Sequence, residues 1–179
     1  METFTKFRPM IVDPRYQDRR NQCLNELDID ELDAPIADLI DDLCGFPFCF
    51  TIQSCFGHFL YPGQEDSNNI EPLPSTGTIQ SVEYRLAYIA LCLEDSRSGQ
   101  EFLRCLKQLP EIDPKYLQFG CAEWFWERHP NSYIVQVEPE TNMLKDKCTV
   151  GFQEAIHIEK VRNKFYDRLM TLVSRIDEQ

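Results

Sequence analysis

Lysine and arginine are missing from a third of this 179-residue chain: neither occurs between Asn21 and Tyr84. The same stretch holds Glu26, Asp28, Asp30, Glu31, Asp33, Asp38, Asp41, Asp42, Glu65, Asp66, Glu71 and Glu83. These twelve acids account for the whole formal net charge of -12, because the flanks balance to zero. Non-specific nucleic-acid affinity comes mostly from phosphate neutralisation, so this third offers no nucleic-acid face. Basic residues gather instead as Arg15, Arg19 and Arg20 near the start, and as Lys160, Arg162, Lys164, Arg168 and Arg175 near the end.

Other absences narrow the class. The longest apolar run, Leu86 to Leu93, is far too short to span a bilayer. No charged stretch followed by an apolar one opens the chain, so the cytoplasm is the expected compartment. In that compartment the eight cysteines, which include no C-x-x-C pair, read as thiols rather than bridges. There is no G-x-G-x-x-G nucleotide fingerprint, no internal repeat and no low-complexity tract. Composition is ordinary, with 42% hydrophobic and 27% charged residues, which predicts a folded globule spanning residues 1–179.

Periodicity gives the expected elements. Pro14 follows Asp13 at a helix start, which predicts a helix over 14–27. Asp33 and Pro35 open a second, whose stripe is Ile36, Leu39, Ile40 and Leu43 and whose end is Gly45. Phe48 to Ser54 reads as a strand. Its alternation puts Cys49, Thr51, Gln53 and Cys55 on one face and Phe48, Phe50, Ile52 and Ser54 on the other. Residues 61–80 form a long polar loop, the length of a functional lid or a disordered insert. Leu86 to Leu93 reads as a buried strand, and Ser98 to Glu101 as a capping box that opens a helix ending at Pro110. Tyr116–Glu127 and Ser132–Glu138 read as two strands of a hairpin, and a C-terminal helix is predicted over 152–176. The expected fold is α+β, a single domain with a mixed or antiparallel sheet of about four strands and about four helices.

The stretch CFTIQSCFGHF concentrates the chemistry, because a thiol, a hydroxyl, a glycine and an imidazole meet at a strand end. Gly57 permits a tight turn, whose amides can bind an anion. An imidazolium at His58 would activate the Cys55 thiol as a nucleophile. The alternative is a core cysteine, a turn glycine and a solvent-exposed histidine.

The run Leu32 to Phe59 has an amphipathic helix, Pro-Phe, a strand with threonine, then Ser54-Cys55-Phe56-Gly57-His58. It resembles the N-terminal part of the tRNA wybutosine-synthesising methyltransferases, the third-step enzymes of that pathway. In that family the strand ends in Ser-Cys-Ser-Gly-Arg or a close variant; here Phe56 replaces a small residue and His58 an arginine. The family's Gly-Gly-X-Trp strand has no counterpart in 61–80. The resemblance implies an α+β fold without a Rossmann unit, S-adenosylmethionine as cofactor, and a tricyclic guanine derivative of tRNA as methyl acceptor. Ser54 and Gly57 would then hold the cofactor, and His58 and Cys55 would be catalytic.

Other constellations are weaker. Cys44, Cys49, Cys55 and His58 form C-x4-C-x5-C-x2-H, but Cys49 and Cys55 would lie about 20 Å apart on a regular strand. No metal is therefore expected. Asp38, Asp41 and Asp42 share one side of the second helix and are either a solvated face or the partner of a nearby cation. In the expected hairpin, Trp124 and Trp126 face one way with Ala122, and Glu123, Phe125 and Glu127 face the other. One of those glutamates is either a general base in a pocket or an exposed solubilising group. His157 reads as a surface or capping residue.

Two functions from different classes follow. The first is a small-molecule- or nucleotide-binding protein related to S-adenosylmethionine-dependent methyltransferases, with tRNA as a partner only through the resemblance. The second is a non-enzymatic module whose acidic and basic surfaces pair protomers into a homodimer or recruit a basic partner. Neither involves a membrane.

Overall fold

The computed structural model describes residues 7–75, 79–139 and 146–177. Its α+β architecture has five α-helices and two antiparallel sheets. Helix α1 is Tyr16–Glu26 and α2 is Ala37–Gly45, entered through a 3-10 turn at Ala34–Ile36. Strands β1 (Cys49–Cys55), β4 (Ala87–Leu93), β5 (Leu117–Gly120) and β6 (Ser132–Val137) form one sheet in the order β1-β4-β6-β5. The short strands β2 (His58–Leu60), β3 (Ser81–Arg85) and β7 (Lys147–Gly151) form a second sheet in the order β2-β3-β7. Helix α3 is Arg97–Leu106, α4 is Glu123–Arg128 and α5 is Phe152–Asp177.

The chain passes between the sheets three times, at Phe56-Gly57, at Leu86 and between β6 and β7, and the first two crossings touch where Gly57 meets Ala87. The core lies on one face of the four-stranded sheet. There Leu39, Ile40 and Leu43 of α2, Phe102 and Leu106 of α3, and Ile158, Phe165 and Leu169 of α5 meet Ile89, Leu91, Leu93, Tyr133, Val135 and Val137. This is the helical period of three and four meeting the strand period of two. Truncating Leu43, which is fully buried, to alanine is expected to cost about 2–5 kcal/mol. The opposite face of the sheet is covered at one end by α1, through Tyr16 on Phe50 and Cys92, and at its middle by Ala122 and Phe125.

Several expectations change. Strand β1 carries a bulge between Thr51 and Gln53. Thr51 pairs with Leu91 on the core face, but Gln53 pairs with Ala90 and Cys55 with Tyr88, on the other face. The extra residue thus moves Gln53 and Cys55 away from Cys49 and Thr51. Helix α3 is capped by Ser96, whose Oγ accepts from Gly99 N at 3.3 Å, and not by Ser98. Residues 123–128 form a helix where strand was expected. Their aromatic content favours strands, but at helical spacing Arg128 stacks on Trp124, 4.0 Å from its ring centre. Trp126 packs edge-on against Tyr133, while Glu123 and Glu127 are exposed and line no pocket described below. Strands β2, β3 and β7 were hidden by their length, three to five residues each. Residues 76–78 of the expected 61–80 loop lie outside the described residues; the remainder up to Gln80 is irregular. No helix among the described residues is long and apolar enough to cross a membrane.

Candidate functional site

Asp33 precedes the 3-10 turn before α2 in the capping position, yet its side chain caps nothing. It turns instead to the β1–β2 connection. Its Oδ2 accepts the Phe56 backbone N–H at 2.7 Å and lies 3.3 Å from His58 Nε2. The turn amide expected to bind an anion is therefore occupied by the chain's own carboxylate. Burial pushes the Asp33 carboxyl up, but hydrogen bonds from His58 and from the Phe56 amide outweigh it and bring it below its usual range.

His58 is 2% exposed, so the solvent-exposed alternative does not hold. Its Nδ1 lies 3.2 Å from the carbonyl oxygen of Asn69 in the long loop. A carbonyl and a carboxylate only accept, so both ring nitrogens must carry hydrogen in this geometry. The hydrogen bond to Asp33 comes first, then one to Cys55; against burial they push the imidazole up to about 10. The His58 contribution to stability is whole below about pH 6.5 and is lost as pH rises through the folded value, whereas that of Asp33 is lost as pH falls through its lowered value. Cys55 completes the group: the ligating atoms of Asp33, Cys55 and His58 all lie within 4.8 Å of one another.

Gly57 serves the fold at close quarters. Its φ is +92°, and a Cβ there would lie 2.7 Å from the Cβ of Ala87. Only glycine lets the two sheet crossings approach this closely. From α5, Arg162 donates to the Gly57 carbonyl at 2.9 Å and Tyr166 donates to the Cys55 carbonyl at 2.6 Å. Arg162 also stacks on Phe56, 4.0 Å from the ring centre. The Phe56 amide, the Cys55 and Gly57 carbonyls and the His58 ring are thus answered from within the chain.

A different space opens across the sheet. Gln53, Arg85, Tyr88, Gln136 and Asp146 surround a groove of about 300 Å³ with Leu86, Ala122, Phe125 and Ile134 as its apolar wall. Among the described residues, the side chains of Gln53, Arg85 and Tyr88 make no hydrogen bond. Gln136 is tied from below, its Nε2 donating to Glu138. Burial, then the neighbouring Cys55, pushes the Tyr88 phenol up to about 12, so it remains a donor at neutral pH. Because Cys55 and Tyr88 are cross-strand partners, the groove begins beside the Asp33–Cys55–His58 group.

The expected site residues therefore divide. Cys55 and His58 come together, and Gly57 sits between them, serving the turn. Ser54 pairs with Ile89 on the core-facing side, away from the groove. Cys44 stays in the core with its Sγ 3.3 Å from Thr51 Oγ1, and the bulge keeps it and Cys49 from joining Cys55. Asp33, Asn69, Arg162 and Tyr166 were not foreseen. For Arg162 a signal existed: a charge bordering the apolar stripe of Ile158, Val161, Phe165 and Leu169. Asp33 and Asn69 gave none, since they meet His58 only through tertiary structure.

The basic clusters are partly consumed by the fold. Arg162 is 2% exposed, and Arg20 donates to the carbonyls of Cys44, Phe46 and Cys49. Asp38, Asp41 and Asp42 are exposed, and among the described residues no ion pair joins them to α5.

The chain matches no protein-family model and no curated protein. Among solved structures it is similar to the PH1069 protein from Pyrococcus horikoshii, at 13% identity and a TM-score of 0.50. The match covers 94% of this chain and 99% of that one. At this identity the likeness carries the fold alone.

Proposed function

We propose that this protein binds a small ligand with a planar, nitrogen-bearing ring in the groove between Gln53, Tyr88 and Gln136. One observation carries the reading: Gln53, Arg85 and Tyr88, whose side chains make no hydrogen bond among the described residues, border an apolar-walled groove on an otherwise covered sheet. Such a pairing of apolar wall and convergent polar groups is the usual form of a small-molecule site, and its volume lies at the lower end of that class. Phe125 offers a face for stacking, and the Gln53 and Gln136 amides and the Tyr88 hydroxyl offer edge donors and acceptors.

S-adenosylmethionine is the ligand that the family resemblance implies. At Ser54 and Gly57 the residues do not fit it, because the Phe56 amide is engaged and Ala87 closes the space over Gly57. In the groove the donor set does fit. Arg85 would take the carboxylate of the amino-acid arm, Asp146 its ammonium group, and the glutamines and Tyr88 the adenine edge. Bound there, the cofactor would supply an electrophilic methyl group. Methyl transfer to a tRNA base is the activity to assay once binding is measured.

Calorimetric titration with S-adenosylmethionine, and with adenosine, tests the reading. The expected result is binding to the wild-type chain and weaker binding to Gln136→Ala, with unchanged circular dichroism. A folded wild-type chain that binds neither compound would overturn it.

A further inference from the structure

We propose that Asp33, Cys55 and His58 form a zinc site that ties the start of α2 to the β1–β2 turn. The three residues offer one oxygen, one sulfur and one nitrogen, the donor types that zinc takes in proteins. The Asp33 and His58 atoms already stand at a chelating separation. Two ligands held 2.0–2.1 Å from a tetrahedral ion lie about 3.4 Å apart. The Asp33 Oδ2 to His58 Nε2 distance is 3.3 Å, and Cys55 Sγ lies within 4.8 Å of both.

The surroundings match a metal site as well as the ligands do. The Asn69 carbonyl faces His58 Nδ1 at 3.2 Å, which holds the Nδ1–H and directs the Nε2 lone pair at the ion. The Phe56 amide steadies Asp33 from behind. Cys55 and His58 flank a turn that Gly57 alone can make, so the pair forms a short chelate closed by a remote carboxylate. Tyr166 donates its hydroxyl to the Cys55 carbonyl and packs on Phe56, with ring centres 5.3 Å apart. The ion takes the place of the His58 Nε2 proton, and the fourth position is left to water. The pattern Cys44, Cys49, Cys55, His58 does not supply this set: Cys44 stays beside Thr51 and Cys49 lies on the opposite face of β1 from Cys55, while Asp33 comes from outside the pattern.

The test uses the full chain, treated with chelator, dialysed, and titrated with zinc chloride by calorimetry, then with cobalt(II) by absorbance. One ion per chain is expected, with a sulfur-to-cobalt charge-transfer band and tetrahedral ligand-field bands. Cys55→Ser should abolish the band, and Cys23→Ser should leave it intact. Asp33→Asn and His58→Gln should each weaken zinc binding by more than about 100-fold, beyond the loss seen for outer-shell changes. Should Cys55→Ser prove unfolded by circular dichroism, zinc should still raise the wild-type Tm and fail to raise that of Asp33→Asn. No zinc uptake by the folded wild-type chain overturns the proposal. So does uptake retained in Asp33→Asn but lost in His157→Ala, which would place the ion on the exposed His157–Asp113 pair.

Discussion

At the Ser54–His58 turn, polar groups answer one another. Asp33 meets Phe56 and His58, Asn69 meets His58, and Arg162 and Tyr166 take the backbone carbonyls. In the neighbouring groove, Gln53, Arg85 and Tyr88 face open space with their hydrogen bonds unmade among the described residues. The same two strands, β1 and β4, build both. Buried polar groups must find partners inside the chain, so a motif rich in them closes on itself as it is buried. On the proposed reading a ligand is recognised by groups that the fold leaves unanswered, and these lie one strand over.

That contrast predicts large stability effects at the turn and small ones in the groove. Gly57→Val should cost most, about 2–6 kcal/mol, by forcing a branched residue to positive φ and a side chain into Ala87. Urea unfolding measures it, with Gln53→Ala as the groove comparison, expected within about 0.5 kcal/mol of wild type. Arg162→Leu should cost about 1.5–3 kcal/mol, because the Gly57 carbonyl loses a charged donor while remaining buried. A smaller loss than that of Gln53→Ala would show that the turn does not depend on its internal partners.

The groove should respond in affinity rather than stability. Arg85→Ala is expected to weaken S-adenosylmethionine binding by about 10–100-fold through loss of a charge-assisted hydrogen bond, with Tm unchanged. Equal affinity in the variant would remove Arg85 from the site.

The smallest effect concerns pH. Burial, then Arg19 and Arg128, hold His129 below its usual value, and Asp13 and Glu26 only partly offset them. Its ring sits edge-on to Phe50, 6.1 Å away. Below about pH 6.5 the unfolded chain binds a proton that His129 in the folded chain resists, so this residue's contribution to stability falls as pH drops from 7 towards 5, against the opposite trend of His58. His129→Phe should flatten this slope in urea titrations repeated across that range.

Much of the architecture was legible because it rests on periodicity. The stripes of α2 and α5 and the apolar run of β4 are long enough to be read from residue order. The capping by Ser96 lay within two residues of its expected place. What was not legible turned on single backbone events. One inserted residue at Ile52 reverses the faces of Gln53 and Cys55, and no residue type announces it. The stretch Glu123–Arg128 has strand-like composition but helical contacts, settled by what its aromatics pack against. For the site, Cys55 and His58 were found by adjacency. Asp33 and Asn69 reach His58 from 25 and 11 residues away, which only the fold brings together.

The claim that ligand recognition lies in the groove and not at the turn is tested most directly by backbone amide chemical-shift mapping during titration with S-adenosylmethionine. The largest shifts are expected to cluster at Gln53, Tyr88, Phe125 and Gln136, with Phe56, Gly57 and His58 nearly still. Shifts centred on Phe56 to His58, with the groove unmoved, would contradict it.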